Sequence, residues 1–168
     1  MSTTHARPWH GEPASRPVVV GVEPGQDLRV VRHAAATAQV YGTGLVVVWV
    51  DPAHVLVPGD AAGVMTMVPV DPDDPGDTPS HAEQELHELV EGELTPSAVA
   101  WRFVHSAGEV ARGLAQVAAE YEAPMIVVGA RKPGFSGWMN EVIGGSVAGH
   151  LVHAHEIPVL VVPLPEQR

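Results

Sequence analysis

Apolar positions along this chain fall into two alternating patterns. Val18-Val19-Val20-Gly21-Val22 is a continuous apolar run, as a strand buried on both faces requires. From Asp27 to Tyr41, residues Val30, Val31, Ala34, Ala35, Ala38 and Tyr41 recur at helical spacing, until Gly42 and Gly44 end the pattern. Leu45 to Val50 reads as a second buried strand, Val99 to Val104 as a third, Met125 to Gly129 as a fourth and Val159 to Val162 as a fifth. Between them helical spacing returns. Leu86, Leu89, Val90 and Leu94 share one face, as do Val110, Leu114, Val117 and Ala118, and a last helix is expected from about Glu141 to Ala154. Strict alternation of strands and helices predicts an α/β fold: an open doubly wound parallel sheet of five strands with helices on both faces. A ligand crevice is expected at the carboxyl ends of the strands, where the strand order reverses.

One stretch interrupts this rhythm. Residues 52–79 are rich in Pro, Gly and Asp, lack helical periodicity, and read as a long acidic loop. Two helix starts follow capping-box spacing, Ser80-His81-Ala82-Glu83 and Ser106-Ala107-Gly108-Glu109. Residues 1–15 are expected to be a flexible N-terminal tail, and 16–165 a single domain.

Charge narrows the function classes. The 168 residues carry 9 Lys+Arg against 20 Asp+Glu, a formal net charge of −11. Such a balance argues against nucleic acid or an anionic membrane as partner, because both need positive surface. No Lys or Arg stands between Arg32 and Arg102, and nine acidic residues fall within Asp71 to Glu93, so an anion site must be built elsewhere. The absence of cysteine removes disulfides, thiol catalysis and sulfur-ligated metals. The first 16 residues lack the apolar stretch of a secretory signal and no run is long enough to span a membrane, so a cytoplasmic location is expected.

The chemistry concentrates between Gly129 and Ser146. Gly129-Ala130-Arg131-Lys132-Pro133-Gly134-Phe135-Ser136-Gly137-Trp138-Met139-Asn140 leaves a buried strand, and Gly144-Gly145-Ser146 opens the last helix region. Glycines let backbone N–H groups approach a phosphate, and a helix N-terminus favours negative charge. A Walker A loop does not fit, because Phe135 stands where its lysine would reach the phosphates. No G-x-G-x-x-G follows the first strand, where Gly21-Val22-Glu23-Pro24-Gly25 stands instead.

This stretch resembles the nucleotide loop of the universal stress protein family, G-x2-G-x9-G-[S/T] after the fourth strand. The tail His153-Ala154-His155-Glu156-Ile157-Pro158-Val159-Leu160-Val161-Val162-Pro163 is similar to that family's closing "HAPCPVLVVP", and Val18 to Glu23 to its "ILVGVD". The likeness extends from Arg16 to Pro163 and implies strand order 3-2-1-4-5, numbering the five expected strands along the chain. It departs from the pattern at Lys132, which replaces the second glycine, and in spacing, since twelve residues (133–144) separate Lys132 from Gly145. Glu23 stands one methylene longer than the family's Asp. The resemblance implies a regulatory protein binding ATP or another adenine nucleotide, with or without Mg, and no catalytic residues. Glu23 and Val50 would border base and ribose, and Gly129, Arg131, Lys132, Gly145, Ser146 and Val147 the phosphates. It also implies a homodimer through Val159–Val162, an apolar edge best covered by a second copy. The alternative is a dimeric interaction module whose crevice is closed by the 130–140 insertion.

Remaining residues have plainer readings. His150, His153 and His155 cluster near a helix C-terminus, where imidazoles interact with the helix dipole, and no metal site is expected from them. His105 and Ser106 are neighbours on a strand end and point in different directions, which disfavours a catalytic pair.

Overall fold

The computed structural model describes residues 5–59, 65–71, 79–130, 151 and 157–164. Eight strands and three helices lie among them: β1 (His5–Ala6), β2 (Val18–Val22), α1 (Arg29–Val40), β3 (Leu45–Asp51), β4 (His54–Pro58), β5 (Met65–Pro69), α2 (Pro79–Leu94), β6 (Trp101–Ala107), α3 (Val110–Glu120), β7 (Ile126–Ala130) and β8 (Val159–Pro163). The main sheet runs β1-β6-β3-β2-β7-β8. Its five parallel strands are those expected from the apolar runs and keep the expected order among themselves. The antiparallel β1 at the edge makes it a mixed sheet of six strands and not the parallel five expected. The fourth expected helix, 141–154, lies outside the described residues apart from Leu151.

Each apolar run is buried because helices cover both faces. Val18, Val20, Val22, Val47 and Trp49 pack toward α1 and α2, while Val19, Val46, Val48 and Val50 pack toward α3 and Leu151. Every residue of β3 is buried, as befits a strand flanked by β2 and β6. The small residues Ala34, Ala35 and Ala38 of α1 are buried beside Val30 and Val31, which lets the helix lie close on the sheet.

Both α1 and α3 end in the same motif. The N–H of Gly42 bonds the Gln39 carbonyl at 3.0 Å, and that of Thr43 the Ala38 carbonyl at 3.0 Å, with Gly42 at φ 64. After α3, Glu122 bonds Ala119 at 3.1 Å and Ala123 bonds Ala118 at 2.8 Å, yet the left-handed position, φ 50, is held by Glu122.

Four further expectations are corrected. Residues within 52–79 contain a hairpin, with β4 and β5 pairing antiparallel from His54↔Pro69 to Pro58↔Met65. The alternation in His-Val-Leu-Val-Pro and Met-Thr-Met-Val-Pro was hidden by the surrounding Pro, Gly and Asp. Ser106 caps nothing: it lies buried in β6, and α3 is capped by Glu109, whose carboxylate accepts from the N–H groups of Ala111 and Arg112 at 2.9 Å each. The Glu83 carboxylate turns away from the helix start and binds Arg7 and His105 instead. The N-terminal segment is no tail over its described part, because β1 pairs antiparallel with β6.

Candidate functional site

Parallel pairing brings the carboxyl ends of three strands side by side. Val22 of β2 is in register with Trp49 of β3, and Val19 and Val20 with Ile126 and Val127 of β7. The residues leaving these strands are Glu23, Val50-Asp51 and Gly129-Ala130. Between β2 and β7 the sheet order reverses, so their rim is the crevice position of a doubly wound fold.

Glu23 is 5% exposed despite its charge. It opens a tight turn in which the Gln26 N–H donates to the Glu23 carbonyl at 3.2 Å, and the Glu23 N–H donates to Gln26 Oε1 at 3.3 Å. Gly25, at φ 75, makes that turn. The Gln26 amide then reaches across to β7: a Cβ on Gly129 would stand 2.8 Å from Gln26 Nε2 and 2.6 Å from Leu164 Cδ1. Gly129 is therefore glycine because the crevice floor closes over it. Glu23, Gln26 and Gly129 form one packed unit at the switch point.

Val50 contributes backbone to this rim, since its side chain packs into the core against Gly113 of α3. Beside it, Asp51 is 6% exposed. Its Oδ1 accepts from the Ala53 N–H at 2.9 Å, and its Oδ2 from His54 Nδ1 at 2.8 Å. This pair roots the β4–β5 hairpin on the carboxyl rim. Among the described residues no group of three or more His, Asp or Glu could hold a metal ion.

The structure thus brings together Glu23, Val50 and Gly129. Arg131, Lys132, Gly145, Ser146 and Val147, with the 130–140 insertion beyond Ala130, lie outside the described residues, as do His150, His153 and His155. Sequence reading missed Gln26, Asp51 and His54. A glutamine after Pro-Gly reads as an exposed turn residue, and Asp-Pro-Ala-His reads as loop; only burial sets them apart.

A second buried polar cluster sits on the α2 face of β6. His105 is 2% exposed and stacks on Trp49 with centroids 4.3 Å apart. Its Nδ1 donates to Glu83 Oε2 at 3.1 Å, while Arg7 Nε donates to Glu83 Oε1 at 2.9 Å. Burial alone would raise the Glu83 pKa, but these two donors outweigh it and hold the carboxyl at about 2. His87, one turn along α2, lies among His10, Trp101 and Phe103 with neither ring nitrogen hydrogen-bonded. Burial, reinforced by the nearby Arg7 charge, lowers its pKa. A cleft of about 500 Å³ lies beyond, between Gly11-Glu12 and the end of α2, at the amino ends of the parallel strands and away from the crevice.

The universal stress protein family model matches residues 14–163. Among solved structures, the chain is similar to a universal stress protein from Archaeoglobus fulgidus, at 22% identity and TM-score 0.61, over 87% of this chain and 92% of that one. It is similar to the Archaeoglobus fulgidus universal stress protein in complex with dAMP, at 21% identity and TM-score 0.59, over 87% and 96%. A universal stress protein in complex with cAMP matches at 20% identity and TM-score 0.56, over 90% and 99%. At these identities the likeness is one of fold. No curated protein matches the chain. No described helix is long and apolar enough to cross a membrane.

Proposed function

This chain belongs to the universal stress protein family, and on that premise we propose that it is a regulatory protein that takes an adenine nucleotide at the carboxyl rim of its sheet. The observation that carries the reading is the packed unit of Glu23, Gln26 and Gly129 at the point where strand order reverses. A buried carboxylate there accepts hydrogen bonds from ribose hydroxyls, and backbone at Val50 lies alongside for the base. Complexes of two similar proteins with dAMP and cAMP support the same ligand class. In this reading Arg131, Lys132, Gly145, Ser146 and Val147 meet the phosphates, with or without Mg, and the protein acts by binding and not by turnover.

The reading includes a homodimer. Strand β8 ends the sheet among the described residues, with Leu160 39% and Val161 44% exposed, an apolar edge that a second copy would cover. A cytoplasmic location, with neither nucleic acid nor membrane as partner, belongs to it too.

Isothermal calorimetry with ATP, ADP, AMP and cAMP, each with and without magnesium, tests the ligand. Saturable binding is expected, and Glu23→Gln weakens it about ten-fold by removing a charged acceptor. Absence of binding at millimolar nucleotide refutes the reading and leaves the interaction module with a closed crevice. Light scattering behind size exclusion reads the dimer directly.

A further inference from the structure

Two edges end the main sheet, and they are built differently. At β8 the edge is apolar; at β6 it is occupied by the chain's own residues 5–10. The outer edge of β6 (Trp101–Ala107) would otherwise present unpaired backbone groups to solvent, a standing invitation to strand addition. The arm meets four of its seven residues. His5 and Ala6 pair with His105 and Val104, the Arg7 N–H donates to the Phe103 carbonyl at 2.9 Å, and His10 and Trp101 exchange bonds of 2.7 and 3.0 Å.

Side chains add selectivity to this backbone pairing. The Arg7 guanidinium donates to Glu83 at 2.9 Å and to Gln84 at 2.9 Å. Arg102 donates twice to the Arg7 carbonyl, at 3.0 and 2.7 Å, and lies over the Trp9 ring at 5.6 Å. His10 stacks on Trp101 with centroids 4.2 Å apart and planes 5° from parallel. Each of these receptors (Glu83, Arg102, Trp101) belongs to the body of the domain. Beyond His10 the arm borders a cleft of about 500 Å³ at the end of α2, although Gly11 stays close on Ala100. Apart from the core-packed Ala6 and Trp9, the arm is held by polar and stacking contacts at a partly solvated edge.

We propose that the outer edge of β6 is a strand-accepting peptide site, and that its occupant is the chain's own detachable segment from His5 to His10. The class of ligand it reads is an extended peptide with an arginine for Glu83 and Gln84, and an aromatic pair after it for Arg102 and Trp101. Recognition follows the usual division of strand addition: main-chain bonds give affinity and side-chain receptors give choice. This site is separate from the nucleotide crevice and does not depend on it.

Deleting residues 1–12 vacates the site. A synthetic peptide of residues 3–12 is expected to bind the truncated protein saturably by fluorescence anisotropy, and its Arg7→Ala form about ten-fold more weakly, for loss of the charged bonds. Absence of saturable binding to a truncated protein that keeps its circular dichroism and cooperative melt overturns the proposal. The intact chain gives a second reading that does not require the truncated form to fold. The Trp101 amide, bonded to the arm, is expected to exchange with solvent by local opening, faster than the Val47 amide inside the sheet, and Arg7→Ala accelerates only the former. Exchange of Trp101 solely through global unfolding overturns the proposal as well.

Discussion

Glu83 on α2 and His105 on β6, 22 residues apart in sequence, share a buried hydrogen bond of 3.1 Å. Because Arg7 donates to the same carboxylate from the N-terminal arm, one side chain ties helix, sheet and arm together. Its low pKa has a consequence for stability. A carboxyl held at about 2, against an ordinary 4.5, stabilises the fold above pH 4.5 and loses that contribution as pH falls toward 2. Glu83→Gln is expected to cost about 2 kcal/mol at pH 7, with the gap to wild type narrowing steadily through this acid range. Urea denaturation of both proteins between pH 7 and pH 2.5 checks it; a constant gap would contradict the ionic role.

His87 works in the opposite sense. Its pKa is depressed below the ordinary 6.5, so the native state prefers the neutral ring. Stability linked to His87 is complete above pH 6.5 and is lost as pH falls below it. Since neither ring nitrogen finds a partner, His87→Leu is expected to be stabilising by about 1 kcal/mol at pH 7.5, and by more at pH 5.5. Melting temperatures at the two pH values decide the matter, and a variant less stable at both would show the ring to be needed for packing.

Glu122 occupies a position that α1 assigns to Gly42. A non-glycine residue at φ 50 carries strain, part of which glycine returns as chain entropy on unfolding. Glu122→Gly is expected to raise stability by about 0.5 kcal/mol, whereas Gly42→Ala lowers it by about 1 kcal/mol. Chemical denaturation midpoints at unchanged slope provide the measurement.

Gly129→Ala tests the floor of the crevice. The new methyl meets the ends of Leu164 and Gln26, which can shift, so the expected loss is about 1–2 kcal/mol and not a failure to fold. Leu164→Ala introduced into the same chain is expected to cost less than it does in the wild type, because it makes room for that methyl. Strict additivity in the double-mutant cycle would show that the two sites do not touch.

Much of the architecture was legible along the chain. Five continuous apolar runs alternating with helical periodicity leave few arrangements other than a covered parallel sheet, because a strand apolar at every position must be buried on both faces. Glu23, Val50 and Gly129 stand at the ends of such runs, but it was the family resemblance that singled them out as crevice residues. Gln26, Asp51 and His54 were not legible, since their types are common in exposed turns. The capping assignments failed at Glu83 and Ser106 because local spacing competes with partners supplied from elsewhere, here Arg7, His105 and the β6 ladder.

What the order of residues determined by itself was the set of buried strands and the two amphipathic faces of each layer, since period and hydrophobicity are local properties. What only tertiary structure decided was the fate of polar groups: that residues 5–10 join the sheet, that Glu83 spends its charge on Arg7 and His105, and that Gln26 closes over Gly129. Hydrophobic burial depends on each residue's own surface, whereas a buried polar group is stable only beside a particular partner, and that partner is chosen by the folded chain.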